Sequence, residues 1–207
     1  MRKGILVAAI TASLSGWLCP ASPADAFNVS VTTTPIQGMS GFVVFDFIGG
    51  SPVFNNNATI SGFTSDATLG SATTSGAVSG TLTPGPLVLS DTAFLSEWNQ
   101  SATFGTAMSF QLRLDTNFVS GGIPDEFSFF LEDSTGTPFP TSDPTGANAL
   151  FVVDITGSPL SPEVFTSSSA SASVTSVSTV PEPSALCLML YAIGFAGTLA
   201  RKGLTQG

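Results

Sequence analysis

The chain has no imidazole and almost no thiol. Its 207 residues include no His and only two Cys, Cys19 and Cys187. A Ser-His-acid triad and the zinc sites that need imidazole are therefore excluded. Each Cys sits in a terminal apolar run, so the intervening body has neither a disulfide nor a thiol nucleophile. Basic charge is almost as scarce. The five bases are Arg2, Lys3, Arg113, Arg201 and Lys202, and four of them flank the terminal runs. A body with no Lys has no Schiff-base amine and no phosphate-cradling P-loop Lys. Between residues 27 and 184, Arg113 alone faces thirteen acids, a net charge of −12. Such a body is repelled by phosphate backbones, which excludes nucleic acid and leaves cations or neutral glycans as partners.

Small hydroxylated residues and Phe take the place of charge. Charged residues make up only 9% of the chain, while Gly numbers 21 and Phe 17. Ser and Thr with Phe and Val favour pleated sheet and turns over helix. From residue 27 to about 166, short apolar or alternating runs are separated by Gly and Pro turns. In "AMSFQLRLDT", Phe110, Leu112 and Leu114 share one face. In "DEFSFFLEDS", Phe127, Phe129 and Leu131 point inward, while "ALFVVDITG" puts Phe151, Val153 and Ile155 on one face and Leu150, Val152 and Asp154 on the other. About eight to ten such strands predict an all-β fold, a jelly-roll-like β-sandwich. "TAFLSEWNQSATFG" carries the only helical hint, the Phe94/Trp98 spacing. The Ser-rich stretch 167–180 reads as a last edge strand or a linker.

The two ends read as trafficking signals. Arg2-Lys3, an apolar run to Leu18, Pro20 and Pro23, and small residues at Ala24 and Ala26 make a secretory signal peptide over 1–26, cut before Phe27. At the other end, residues 185–200 are uniformly apolar and about 24 Å long as a helix, at ~1.5 Å per residue. That is slightly short for a transmembrane helix. Arg201-Lys202 hold its end in the cytoplasm, which places the body outside. Both signals predict the same topology.

Pro181, Glu182 and Pro183, the apolar run and Arg201-Lys202 follow one another in order. This ending resembles a PEP-CTERM sorting signal, here 181–207. The resemblance implies transient anchoring in the inner membrane and processing near the motif by a membrane-embedded exosortase. It further implies delivery to the cell surface or matrix of a Gram-negative bacterium that makes exopolysaccharide.

Carboxylates are the chemistry that survives in the body. A glycosidase needs two acids about 5–10 Å apart across a cleft. Asp125-Glu126 and Glu132-Asp133 flank one Phe-rich strand, yet neighbours on a strand point to opposite faces. The bland alternative is acids that punctuate strand ends. Calcium takes oxygen ligands from such turns, with Asp125, Glu132 and Asp133 the first candidates, although no EF-hand spacing is present. Asp46 and Asp154 lie in apolar strands, where Arg113 is the natural partner for one of them, unless each faces solvent. Trp98, beside Asn99-Gln100, is the candidate for stacking a sugar. The alternative is a core Trp. The sequence thus predicts a non-enzymatic exported surface or matrix protein, with a carbohydrate-binding module as the second reading.

Overall fold

The computed structural model describes residues 24–50 and 56–177. The apolar run 185–200, the sorting motif and most of the signal peptide lie outside the described residues. Among the described residues there is no α-helix, only a 3-10 turn at Thr34–Ile36, and no helix is long and apolar enough to cross a membrane.

Among the described residues, twelve strands form two six-stranded antiparallel sheets packed face to face. In chain order they are β1 (Ala24–Thr32), β2 (Ser40–Ile48), β3 (Asn57–Ser65), β4 (Thr68–Ser75), β5 (Val78–Gly80) and β6 (Leu87–Ser90). There follow β7 (Leu95–Thr103), β8 (Ala107–Asp115), β9 (Asp125–Asp133), β10 (Phe151–Ile155), β11 (Glu163–Val164) and β12 (Ser171–Val177). The first sheet runs β12-β1-β8-β3-β6-β5 and the second β11-β10-β9-β2-β7-β4. Chain neighbours β1, β2 and β3 alternate between the sheets, while β1 pairs with β8, β2 with β7 and β3 with β6.

Period-two alternation explains the strands that form the core. Phe110, Leu112 and Leu114 of β8 are buried, and so are Phe127, Phe129 and Leu131 of β9 and Phe151, Val153 and Ile155 of β10. Phe45 and Phe47 of β2 join them, so rings from both sheets meet in one cluster. The helical hint over residues 92–105 is corrected: most of it is β7. Ser96, Trp98, Gln100 and Ala102 face inward there, and Glu97, Asn99 and Ser101 outward. Polar Ser96 and Gln100 on the core side hide the alternation. Their burial is tolerated because Ser96 Oγ donates to Ser90 O at 2.7 Å and Gln100 Nε2 to Gly70 O at 2.7 Å. The strand count also exceeds the expected eight to ten, because β5 and β11 hold only three and two residues.

The expected cleavage point before Phe27 falls inside β1. Asp25 there accepts from Leu160 N at 2.6 Å and from Ser158 Oγ at 3.0 Å. A body that retains Asp25 is expected to lose about 1–2 kcal/mol in the Asp25→Ala variant, since the Leu160 N–H loses its acceptor. A body cut before Phe27 shows no change. Urea denaturation of protein whose N-terminus has been read by mass distinguishes the two.

Candidate functional site

The outer face of the second sheet collects carboxylates. Asp46 on β2 lies opposite Glu97 of β7 and opposite Ser128 of β9. Glu126 and Glu132 follow on the same face of β9, and Asp154 of β10 pairs with Glu126. Burial pushes the Asp46 carboxyl up to about 7, and the charges of Glu97, Glu132 and Glu126 add to the rise. Burial also raises Glu132, as does Glu97, while a hydrogen bond from Asn99 works against both. Arg113 does not relieve this face. It lies on β8 in the other sheet, where its Nη1 sits 3.2 Å from Asp115 Oδ1. The expected pairing of Arg113 with Asp46 or Asp154 is therefore corrected. Two residues along one strand share a face, and that proximity decides the partner.

The acid pairs expected around β9 do not converge. Glu126 and Glu132 are six residues apart on one strand, about 20 Å at ~3.3 Å per residue. That exceeds the roughly 10 Å a pair of glycosidase carboxylates spans. Asp125 lies seven residues from Glu132 and eight from Asp133 on that strand, roughly 23 and 26 Å at ~3.3 Å per residue, so these three cannot ligate one calcium ion, whose oxygen ligands sit within about 2.6 Å. Asp133 is instead the acceptor of a local turn, with Thr135 Oγ1 donating at 2.6 Å and the Thr135 and Thr137 N–H groups at 2.8 and 3.1 Å. Those bonds, Thr135 Oγ1 first, hold its carboxyl below the usual range. Among the described residues no group of three or more acidic or thiol side chains is placed to hold a metal.

Asp125 belongs to a buried polar clamp that sequence reasoning missed. Asn56 is 1% exposed, and its Nδ2 donates to Asp125 Oδ2 at 2.7 Å and to Asn117 O at 2.8 Å. Its Oδ1 accepts from Asn117 N at 3.0 Å, and its own N–H donates to Asp91 Oδ2 at 2.9 Å. Gly50 N donates to Asp125 Oδ1 at 2.8 Å. The run Asn55–Asn57 reads in sequence as a turn, yet one of its amides ties together the start of β3, the loop after β8 and the start of β9. Asn56→Ala is expected to cost about 2 kcal/mol, because it withdraws a donor from a buried carboxylate. Asn56→Asp is expected to cost more, since it sets a third carboxylate beside Asp91 and Asp125. Chemical denaturation of the two variants checks the order.

Trp98 points into the core at 7% exposure, opposite Phe45. A ring packed between sheets offers no face to a sugar, so the stacking role expected of Trp98 does not fit its position. Hydroxyl-lined grooves occupy the surface instead, both near the β3–β4 turn. One, of about 300 Å³, is lined by Ser40, Phe42, Thr68, Gly70, Ser101 and Thr103 on the second sheet. The other, of about 570 Å³, is lined by Ser30, Thr32, Thr64, Asp66, Thr106 and Ser109 on the first. Asp66 fixes the second groove's rim by accepting from Thr106 Oγ1 at 2.6 Å and from the N–H groups of Thr106 and Ala107 at 2.8 and 3.0 Å. Thr106 Oγ1 and these amides hold the Asp66 carboxyl at about 2, so it is ionised through the physiological range. A Cβ on Gly105 would run into Asp66, which explains the glycine at that turn.

No protein-family model matches the chain, and no curated protein or solved structure matches it either.

Proposed function

We propose that this chain is a non-enzymatic exported protein, delivered to the cell surface or extracellular matrix by an exosortase that reads Pro181-Glu182-Pro183. The observation that carries this reading is the order of features at the C-terminus: the motif, the apolar run 185–200, then Arg201-Lys202. The N-terminal signal 1–26 gives the same topology, with the run 185–200 held in the inner membrane until processing. The body suits passive work outside the cell. It is a disulfide-free sandwich whose described surface carries neutral hydroxyls in two open grooves and carboxylates gathered on the outer face of one sheet. The nested pairing of β1 with β8, β2 with β7 and β3 with β6 supports a jelly-roll-like arrangement.

Intact mass of the protein recovered from its own cells tests the sorting step. The expected mass lacks 1–26 and most of 185–207. A mass that keeps Arg201 and Lys202 overturns processing at the motif.

The second reading is a carbohydrate-binding module that associates with exopolysaccharide. The two hydroxyl-lined grooves favour it and move the contact from Trp98 to Ser30, Thr32 and their neighbours. Both side chains are exposed, so Ser30→Ala with Thr32→Val leaves the core untouched. Loss of polysaccharide retention in that double variant is the expected result. Retention that is absent from the start, or unchanged in the variant, removes this site.

A further inference from the structure

The edges of the two sheets are not equally protected. An exposed strand edge offers unpaired N–H and C=O groups to any passing strand, and proteins blunt such edges by shortness, charge, Pro or bulges. Two of the four outermost strands, β11 and β5, hold two and three residues. β4 is longer, but its register with β7 shifts between Leu69 and Ala72, and its carbonyls at Gly70 and Ser71 accept from Gln100 Nε2 and Ser101 Oγ. Among the described residues, β12 has none of these devices. Its seven residues, SASVTSV, include no charge and no Pro. They pair with β1 without a break, from Ala26 opposite Val177 to Thr32 opposite Ser171. Ala172 and Val174 pack against the core and hold the strand on the sandwich.

Charge and sequence select the occupant. A body of net charge −12 repels its own copies almost everywhere, but β12 and the facing positions of β1, Asn28 and Ser30, are neutral. β12 is also compatible with its own reverse. Centred on Val174, an antiparallel copy sets Ser173 against Thr175, Ala172 against Ser176 and Ser171 against Val177. Hydroxyls then meet hydroxyls on the solvent face, a small residue meets a small residue, and no like charges oppose. Val164 of the neighbouring β11 adds a side chain 43% exposed on the same side of the sandwich.

We propose that β12 is a self-association edge. Two copies pair β12 to β12, antiparallel about a two-fold axis near Val174, and join their β12-β1-β8-β3-β6-β5 sheets into one continuous sheet. A two-fold axis perpendicular to the sheet keeps both core faces on the same side. The paired edge alone is much smaller than the roughly 800 Å² per partner of a standard interface, so the dimer is concentration-dependent.

The test uses the full chain in detergent, with Cys19→Ser and Cys187→Ser as background. Val174→Cys is expected to give a disulfide-linked dimer on mild oxidation, because directly opposed residues of an antiparallel pair lie within disulfide reach. Thr73→Cys on β4 and Ser79→Cys on β5 are expected to remain monomeric. Ser173→Glu, on the solvent face, is expected to abolish the concentration-dependent dimer in sedimentation equilibrium while thermal unfolding stays unchanged. Crosslinking at Val174→Cys no stronger than at Ser79→Cys overturns the proposal. So does crosslinking at Thr73→Cys alone, which would assign association to β4, or a dimer that survives Ser173→Glu.

Discussion

Phe129→Ala is expected to cost about 3–5 kcal/mol, the range for removing a fully buried ring from a core. Phe129 is 0% exposed and stands at the centre of the aromatic cluster. Its ring lies 5.2 Å from Phe45, 5.4 Å from Phe151 and 5.5 Å from Phe110. Phe110 belongs to β8 in one sheet and the other three rings to the opposite sheet, so the truncation removes a contact between layers. The core has no His, disulfide or metal ligand set among the described residues to compensate. A typical domain is stable by only about 5–15 kcal/mol, so the variant is expected near its unfolding midpoint in mild urea. Phe129→Leu keeps most of the volume and is expected to cost ~1 kcal/mol. Midpoints that differ by less than that between Phe129→Ala and the parent would mean the sheets close over the gap.

Asp46→Asn is expected to stabilise the protein at pH 8 and to change little near pH 4. The folded carboxyl titrates at about 7, against 3.8 for the free group. Below 3.8 both folded and unfolded chains hold the proton, and the carboxyl makes no difference. Between 3.8 and about 7 the unfolded chain has released its proton and the folded chain has not, so stability falls as pH rises. Above about 7 the full cost of an ionised Asp46 is present. At ~1.4 kcal/mol per pH unit this is on the order of 4 kcal/mol, an upper figure because solvent reaches part of the side chain. The isosteric amide removes the charge and with it the repulsion from Glu97, Glu132 and Glu126. Added salt is expected to raise the parent's melting temperature at pH 8 more than the variant's. A gap between parent and variant that is equal at pH 4 and pH 8 would refute this account. Asp66 and Asp133 act in the opposite direction. Their lowered carboxyls contribute stability that is present above the free carboxylate value and lost as pH falls through their own.

The strands that carry the core were legible because large apolar residues recur at every second position, even where Phe130 or Val152 adds one on the other face. β8, β9 and β10 each place three large apolar side chains at every second position, and that pattern fits only a half-buried strand. β7 was not legible in the same way. Two of its inward positions are Ser96 and Gln100, whose burial makes sense only once Ser90 O and Gly70 O are in reach. β4 was harder still, since TLGSATTS offers almost no apolar signal and is held chiefly by pairing with β7.

The site followed the same division. Which chemistries were open was a matter of inventory: without His, body Cys or body Lys, only carboxylates and hydroxyls remained. Where those groups sit relative to one another was not. Asp125 and Glu132 are close in sequence, but an extended strand carries them to opposite ends of the sandwich. Asp46 and Glu97 are 51 positions apart in sequence, yet the β2–β7 register sets them side by side. By itself the sequence determined the fold class, the inward faces of the regular strands and the functional groups available. The tertiary structure decided the partners: Arg113 with Asp115, Asn56 with Asp125, Trp98 with the core, β12 at the end of its sheet. The physical reason is that alternation is a local property of the chain, whereas register and sheet order come from burying all the apolar faces at once.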